Sequence, residues 1–285
     1  MESSPIHSRG EHAPASTVLR IEGADALDVL HRITTQSLRD LVPGEARTTL
    51  FCDYRGRLLH RASVAVTRDG AVWLVRDDAA GDELRASLER SVFREDVRIT
   101  DLGNAWAARG VPRGLGLPPG SVREADGCLE AIQAGASFGL VIGSSTTTRE
   151  APDEHTRILE GRPRHGHEIA VEFNPYEVGL AHEVHLSKGC YTGQEALLRL
   201  MTYRGVRRRL VRLTGDGAPP AAPETVTLEG KAVGRLTSAV AHEGGWLALA
   251  TLTAPASEAG ATLRVAQVPA TLAGLVPHTV PMGLA

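Results

Sequence analysis

Two periods of apolar residues succeed one another along this chain, and the changes of period mark out its elements. VLRI at 18–21 is a short apolar run of strand type. In GADALDVLHRITTQSL, Leu27, Leu30, Ile33 and Leu38 recur at near-helical spacing, which predicts an amphipathic helix over that segment. PGE at 43–45 is a turn signal. ARTTLFCDYRGRLLHRASVAVT then reads as two extended runs joined at DYRG, where Gly56 supplies the turn. TRDG at 67–70 is a hairpin signal ahead of the strand AVWLVR. DDAAGDELRASLERSVF carries acids early and arginines late, with Leu84 and Leu88 four apart, and so favours a helix. Strands are expected at 97–100, 104–108 and 137–142, with GVPRGLGLPPG as a surface connection between them. Its GLG does not complete GxGxxG before a helix, so no phosphate cradle is expected there.

After Arg209 the pattern shortens. LVRLTG, ETVTLEG, KAVGRLTSAV, GWLALATL and ATLRVAQV are β-prone runs separated by Gly, Pro or acidic turns, which predicts a small antiparallel barrel. Strands followed by helices in the first part make that region α+β. The expected organisation is a disordered leader at 1–15, an α+β region of two subdomains at 16–208, and a C-terminal β-barrel at 209–285.

Composition adds exclusions. In 285 residues the formal net charge is -3, which gives no broad electrostatic reason to expect nucleic acid or an anionic membrane as partner. Arg204, Arg207, Arg208 and Arg209 lie together in sequence, which leaves a local basic patch open. Cys52, Cys128 and Cys190 are odd in number, far apart and without CxxC spacing, which argues against a disulfide framework and for a reducing compartment. The opening MESSPIHSRGEHAPA lacks the pattern of a signal peptide, and no apolar window approaches membrane-spanning length. A cytoplasmic location is expected.

The densest chemistry lies in SKGCYTGQEALLRLMTYRG at 187–205. Thr192 and Glu195 have capping-box spacing, which predicts a helix from Gly193 with Ala196, Leu197, Leu200 and Met201 as its apolar stripe. Cys190 would then lie just ahead of a helix N-terminus, two residues from Lys188. Both effects favour the thiolate, the nucleophilic form. The competing reading is a glycine-bracketed turn that exists only to fold. His165 with His167, and His182 with His185, are spaced as ligand pairs, but no third ligand is placed beside either, and no metal is expected.

K-G-C-Y-T-G-Q-E, followed by Arg199 and by Arg204-Gly205, resembles the signature of YgfZ-type folate-binding proteins, which are similar to the T-protein (aminomethyltransferase) of the glycine cleavage system. RILEGRPRHGHEI at 157–169, NPYEVGL at 174–180, IEGADALDVLHRITTQSLRDLVPGE near the start and VGRLTSAV at 233–240 resemble further family elements, covering most of 18–268. The resemblance implies a tetrahydrofolate-type cradle closed by the C-terminal barrel. It assigns Cys190 and Lys188 to the chemistry. Glu160 is expected to face the pterin, whose amino-pyrimidinone edge a carboxylate can accept from. The competing reading pairs Glu160 with Arg157 or Arg162. Tyr176 is expected to stack on a flat ring, or else to be a core residue. Gln194 joins the binding residues, and Arg204 and Arg207 would hold the folate glutamate tail unless they form a solvated basic turn.

One departure separates the relatives. The T-protein carries an aspartate on its early hairpin where it meets the folate's reactive nitrogen. Here His60 and Arg61 stand at that place, and the T-protein lacks the cysteine. The resemblance therefore implies a folate-binding protein that assists assembly or repair of iron–sulfur clusters in client enzymes through Cys190. The alternative is a tetrahydrofolate-dependent one-carbon transferase or demethylase in which an acid or His60 handles the proton. A folate-loaded scaffold without chemistry is the third reading.

Overall fold

The structure is a computed structural model and describes residues 15–135, 138–144, 153–258, 262–277 and 279–283, except the Arg204 side chain. The expected leader at 1–15 lies outside the described residues but for its last position.

The chain opens with β1 (Thr17–Glu22), α1 (Ala26–Ile33), β2 (Ala46–Cys52), β3 (Leu58–Val66), β4 (Val72–Arg76), α2 (Asp82–Glu89) and β5 (Arg98–Asp101). These strands form one sheet in the order β2-β3-β4-β1-β5, every pair antiparallel. The hairpin at DYRG forms as its residues dictate. Gly56 takes φ 73°, and the Asp53 carboxylate accepts from the Arg55 and Arg57 amides, both at 2.8 Å. Helix α1 is shorter than its periodicity predicts. It ends at Ile33 because Thr34 turns to extended backbone and its hydroxyl donates back to the Leu30 carbonyl at 2.7 Å. Leu38 reaches the same core from outside the helix.

A second sheet holds β6 (Trp106–Pro112), β7 (Val122–Ala125), β8 (Cys128–Ile132) and β9 (Phe138–Ser144), in the order β6-β9-β8-β7. The β7–β8 hairpin was not expected, although Asp126-Gly127 at its turn, both at positive φ, is a standard hairpin signal. The sheets meet over Val18, Ala65, Trp73, Ala108, Ile132 and Leu140, with Trp73 edge-on to Trp106.

Next come α3 (Glu154–Glu160) and α4 (Gln194–Arg199), the latter continued by a single π turn at Leu200–Arg204. The remaining strands are β10 (Arg208–Asp216), β11 (Glu224–Leu228), β12 (Lys231–His242), β13 (Gly245–Thr253), β14 (Leu263–Val265) and β15 (Val268–Leu275). They close into a six-stranded antiparallel barrel, β10-β13-β12-β11-β14-β15, one strand more than the five runs in the sequence. Trp246, Leu213, Leu236 and Leu252 fill it.

A buried network locks α3 to the barrel. Arg157 donates to Glu168 at 3.0 Å and to the Ser238 hydroxyl at 2.6 Å, and Ser238 donates to Glu168 at 2.8 Å. Beyond β15 the chain leaves the barrel. Met282 pairs with the 184–186 backbone, its amide bonding the Val184 carbonyl at 2.8 Å and its carbonyl accepting from Leu186 at 2.9 Å. Among the described residues no helix is long and apolar enough to cross a membrane.

Candidate functional site

The signature loop folds differently from its capping-box reading. Gly193 at φ 86° is the N-cap of α4, and among the described residues no side chain caps the helix. Glu195 instead pairs with Arg199 at 2.5 Å on the surface. The glycine answers to packing: a Cβ there would lie 2.5 Å from the Asp53 carbonyl oxygen and 3.1 Å from the Gly56 Cα. The helix start is thus pressed against the β2–β3 turn. Gln194, counted among the binding residues, donates to the Leu186 carbonyl at 2.8 Å and closes the loop on itself.

That loop holds Cys190 out in solvent, whereas Cys52 is buried and burial pushes its thiol well above the ordinary value. Cys190, Gly189 and Lys188 line an open cleft of about 810 Å³ with Asp28, His31, Arg39 and Phe93. Lys188 is pinned to α1. Its Nζ donates to the His31 carbonyl and lies 4.7 Å from the Tyr191 ring centre, while the His31 Nε2 is 3.0 Å from the Lys188 carbonyl. Burial, with Arg39 nearby, brings the Lys188 ammonium down to about 8. The arrangement is a solvent-accessible thiol beside an amine that is partly neutral near physiological pH.

Glu160 lies elsewhere, at the end of α3. It lines a cavity of about 240 Å³ with Arg61, Phe138, Arg162, Glu183 and Val276. Neither expected partner takes it: Arg157 pairs with Glu154 and Glu168, and Arg162 with Asp77. Glu160 is exposed and has no hydrogen bond or ion pair among the described residues. The walls hold the residues that sequence reasoning missed. Arg61 grips Glu183 at 2.5–3.1 Å through Nε and Nη2, and Glu183 is 1% exposed. Burial alone would raise the Glu183 carboxyl, but the Arg61 guanidinium overrides it and holds it below the ordinary range. Arg162 also stacks on Phe138, its Cζ 3.6 Å from the ring centre. The one signal for these pairs was a charge inside an apolar strand, Arg61 in LLHRASVAV.

Successive side chains of a strand face opposite ways. Arg61 therefore faces the Glu160 cavity, and His60 faces a different one bounded by α2. Tyr176 is 1% exposed in the core beneath the barrel, its hydroxyl without a hydrogen-bond partner among the described residues. It borders a neighbouring space of about 220 Å³ with Arg209 and Val276, not the Glu160 cavity. Arg207 is exposed at the entrance to β10 and lines neither the cleft nor the cavity. The Arg204 side chain is outside the described residues. Cys190 and Glu160 thus line separate spaces, joined along the chain by residues 182–188.

Residues 207–276 match the model of the CAF17 C-terminal β-barrel domain. A chloroplastic protein of Arabidopsis thaliana that bears a transferase name is 27% identical over 262 residues, 80% of this chain and 60% of its own length. The aminomethyltransferase of Koribacter versatilis is 38% identical over 115 residues, 38% of this chain and 28% of its own. The protein of Vibrio vulnificus named tRNA-modifying protein YgfZ is 43% identical over 75 residues, 25% of this chain and 23% of its own. This chain therefore spans less than two thirds of each of these relatives. The glycine cleavage system aminomethyltransferase T of Bartonella henselae superposes with a TM-score of 0.73 at 17% identity, over 94% of this chain and 84% of that one. The chain has the aminomethyltransferase T-protein fold, its C-terminal barrel is similar to that of CAF17, and part of its length is similar to a YgfZ protein.

Proposed function

We propose that this chain binds the head group of tetrahydrofolate in the Glu160 cavity and uses Cys190, in its separate open cleft, to assist assembly or repair of iron–sulfur clusters in client enzymes. The observation that carries this reading is the division of chemistry between two spaces. An unpartnered carboxylate, Glu160, lines a cavity whose other charges are paired, while the one exposed thiol stands in a cleft open to a partner.

The cavity fits such a ligand in part. Its 240 Å³ falls just below the range of about 300–1,000 Å³ usual for small-molecule sites, so it seats a bicyclic head and leaves the tail outside. Glu160 would accept paired hydrogen bonds from the amino-pyrimidinone edge, and Phe138 and Val178 supply apolar wall. When bound, a reduced folate supplies a nitrogen that carries one-carbon units. Arg61 and Glu183 neutralise each other at the wall, which keeps that region polar without offering a free base.

At the other site Cys190 acts as a transient thiolate ligand or redox thiol. One cysteine cannot hold a four-ligand cluster, so a client, a second copy or a small thiol completes the coordination. The cytoplasmic expectation and the absence of nucleic acid among the partners belong to this proposal. The name of the Vibrio relative attaches tRNA modification to that protein.

The expected result for Cys190→Ala is folate affinity nearly unchanged by calorimetry and loss of rescue of cluster-enzyme activity in cells lacking the protein. Full rescue by that variant sinks the cysteine-centred mechanism. The second reading, a tetrahydrofolate-dependent one-carbon transferase or demethylase, is favoured by the T-protein fold. It meets an obstacle in Arg61, already committed to Glu183 on the cavity face, and in His60, which faces away. Turnover of methylated amines or glycine-derived donors by purified protein with tetrahydrofolate would establish it instead.

A further inference from the structure

The far face of β3 carries a cluster that neither site uses. Arg76, at the end of β4, is 4% exposed. Its Nε donates to the Thr17 hydroxyl at 2.9 Å and its Nη2 to the Ala80 carbonyl. Its Nη1 lies 3.3 Å from the His60 Nδ1 and 3.5 Å from the His165 Nδ1. The two imidazoles stack with centroids 5.5 Å apart and planes 18° from parallel.

A guanidinium only donates, so both Nδ1 atoms must be unprotonated. Burial, reinforced by Arg76, holds His60 down to about 4 and also lowers His165. Both rings are therefore neutral near physiological pH, with their protons on Nε2. Among the described residues no carboxylate is within ion-pair distance of Arg76; Asp78 and Glu83 act on it only from further away. A buried charge without a close counter-ion is costly to hold, which marks the place as awaiting a negative group.

The place has room. His60 and His165 line a cavity of about 480 Å³ whose other walls include Leu58, Leu59, Ile169, Val171 and, at its exposed side, Glu83. Arg90, exposed and without an ion pair among the described residues, stands at its edge.

His60, Glu83 and His165 also bring three ligand atoms within 4.8 Å of one another, a set that suits a metal ion. The tautomers decide against it. A metal on Nε2 would push each proton to Nδ1, against the N–H of Arg76, and would place a dication beside a guanidinium that already lacks a close counter-ion.

We propose that this cavity binds a small organic carboxylate with an apolar body. Its oxygens accept from the Nε2–H groups of His60 and His165, displacing the Glu83 carboxylate that stands 3.9 Å from the His165 Nε2, and its charge acts on Arg90 directly and on Arg76 across the two rings. The full chain, labelled with ¹⁵N and followed by long-range ¹H–¹⁵N correlation of its imidazoles, tests this with benzoate, its neutral isostere benzamide, and zinc. Both rings are expected to show the Nε2-protonated pattern without ligand, and benzoate to shift both saturably. Benzamide is expected to bind about tenfold more weakly, as loss of a charge-assisted bond requires. His165→Phe keeps the stacked ring and should weaken benzoate by a similar factor. Arg90→Ala, at an exposed position that leaves the fold intact, should weaken it less. Benzamide matching benzoate, no saturable benzoate shift, affinity untouched in both variants, or zinc binding tightly with the protons moved to Nδ1 would each overturn the proposal.

Discussion

Replacing Glu183 by glutamine tests the electrostatics of the Glu160 cavity without changing its shape. Glu183 is 1% exposed and its partner Arg61 has 18% of its side chain exposed, so the variant strands a largely buried guanidinium. Breaking a buried ion pair from one side costs about 3–5 kcal/mol. Glutamine still accepts one hydrogen bond, and Asp77 and Asp78 still act on Arg61 from further away, so the lower end, about 3 kcal/mol, is expected. For a chain of this size that is a fall of about 6–12 °C in the midpoint of a thermal melt followed by circular dichroism. The pH dependence fixes the cause. Glu183 is held below its ordinary value in the folded state, so its contribution is complete above the unfolded carboxylate value of about 4.3. It is lost as pH falls through the lower folded value. The melts of wild type and Glu183→Gln should therefore converge under acid conditions below that range. Midpoints within about 1 °C of each other at neutral pH, or a gap that persists undiminished in acid, would refute the argument.

Three further outcomes are expected. Glu160→Ala should weaken tetrahydrofolate binding by about tenfold or more in a calorimetric titration, since a carboxylate accepting two bonds is lost; unchanged affinity removes Glu160 from the site. Gly193→Ala should destabilise by more than about 2 kcal/mol in urea, because φ 86° and the Asp53 carbonyl 2.5 Å from the new Cβ both oppose it, and a neutral result would mean that the helix start is not seated on the hairpin turn. Lys188, brought down to about 8 by burial, should acylate half-maximally near that pH when followed by mass spectrometry, and its depressed value means that stability rises as pH climbs from about 8 toward 10.5; a midpoint near 10.5 would place the amine in open solvent.

The elements that the sequence made legible are those fixed by local chemistry. Gly56 and Gly70 sit where positive φ is needed, and the hairpins they close form as read. Leu84 and Leu88 are both buried on α2. Where two local signals competed, the reading overran: the apolar spacing through Leu38 suggested a longer helix, but the hydroxyl of Thr34 caps α1 at Ile33. The sixth barrel strand lies beyond the last run read, ATLRVAQV, which stops at Val268; the turn at Ala266 and Gln267 that separates it from β14 contains no glycine to mark it. The candidate residues could be named singly, but not the neighbours they meet in space. Glu160 and Cys190 could be named, yet Arg61 and Glu183 are far apart in sequence and meet only through packing. The side of β3 that each of His60 and Arg61 faces is set by the register with β2, which no local pattern encodes. Thr192 and Glu195 have the spacing of a cap, but Gly193 is held by the turn beneath it, and tertiary contact overrode the motif.

The chain beyond β15 ties the order of synthesis to the closing of the Glu160 cavity. Val276, Pro277 and Thr279 line the Glu160 cavity, yet they emerge from the ribosome only after every barrel strand. A nascent chain that has already folded both sheets carries an unroofed groove with Arg61 and Glu183 open to water. That wall of the cavity is complete only once residues 276–279 have been made.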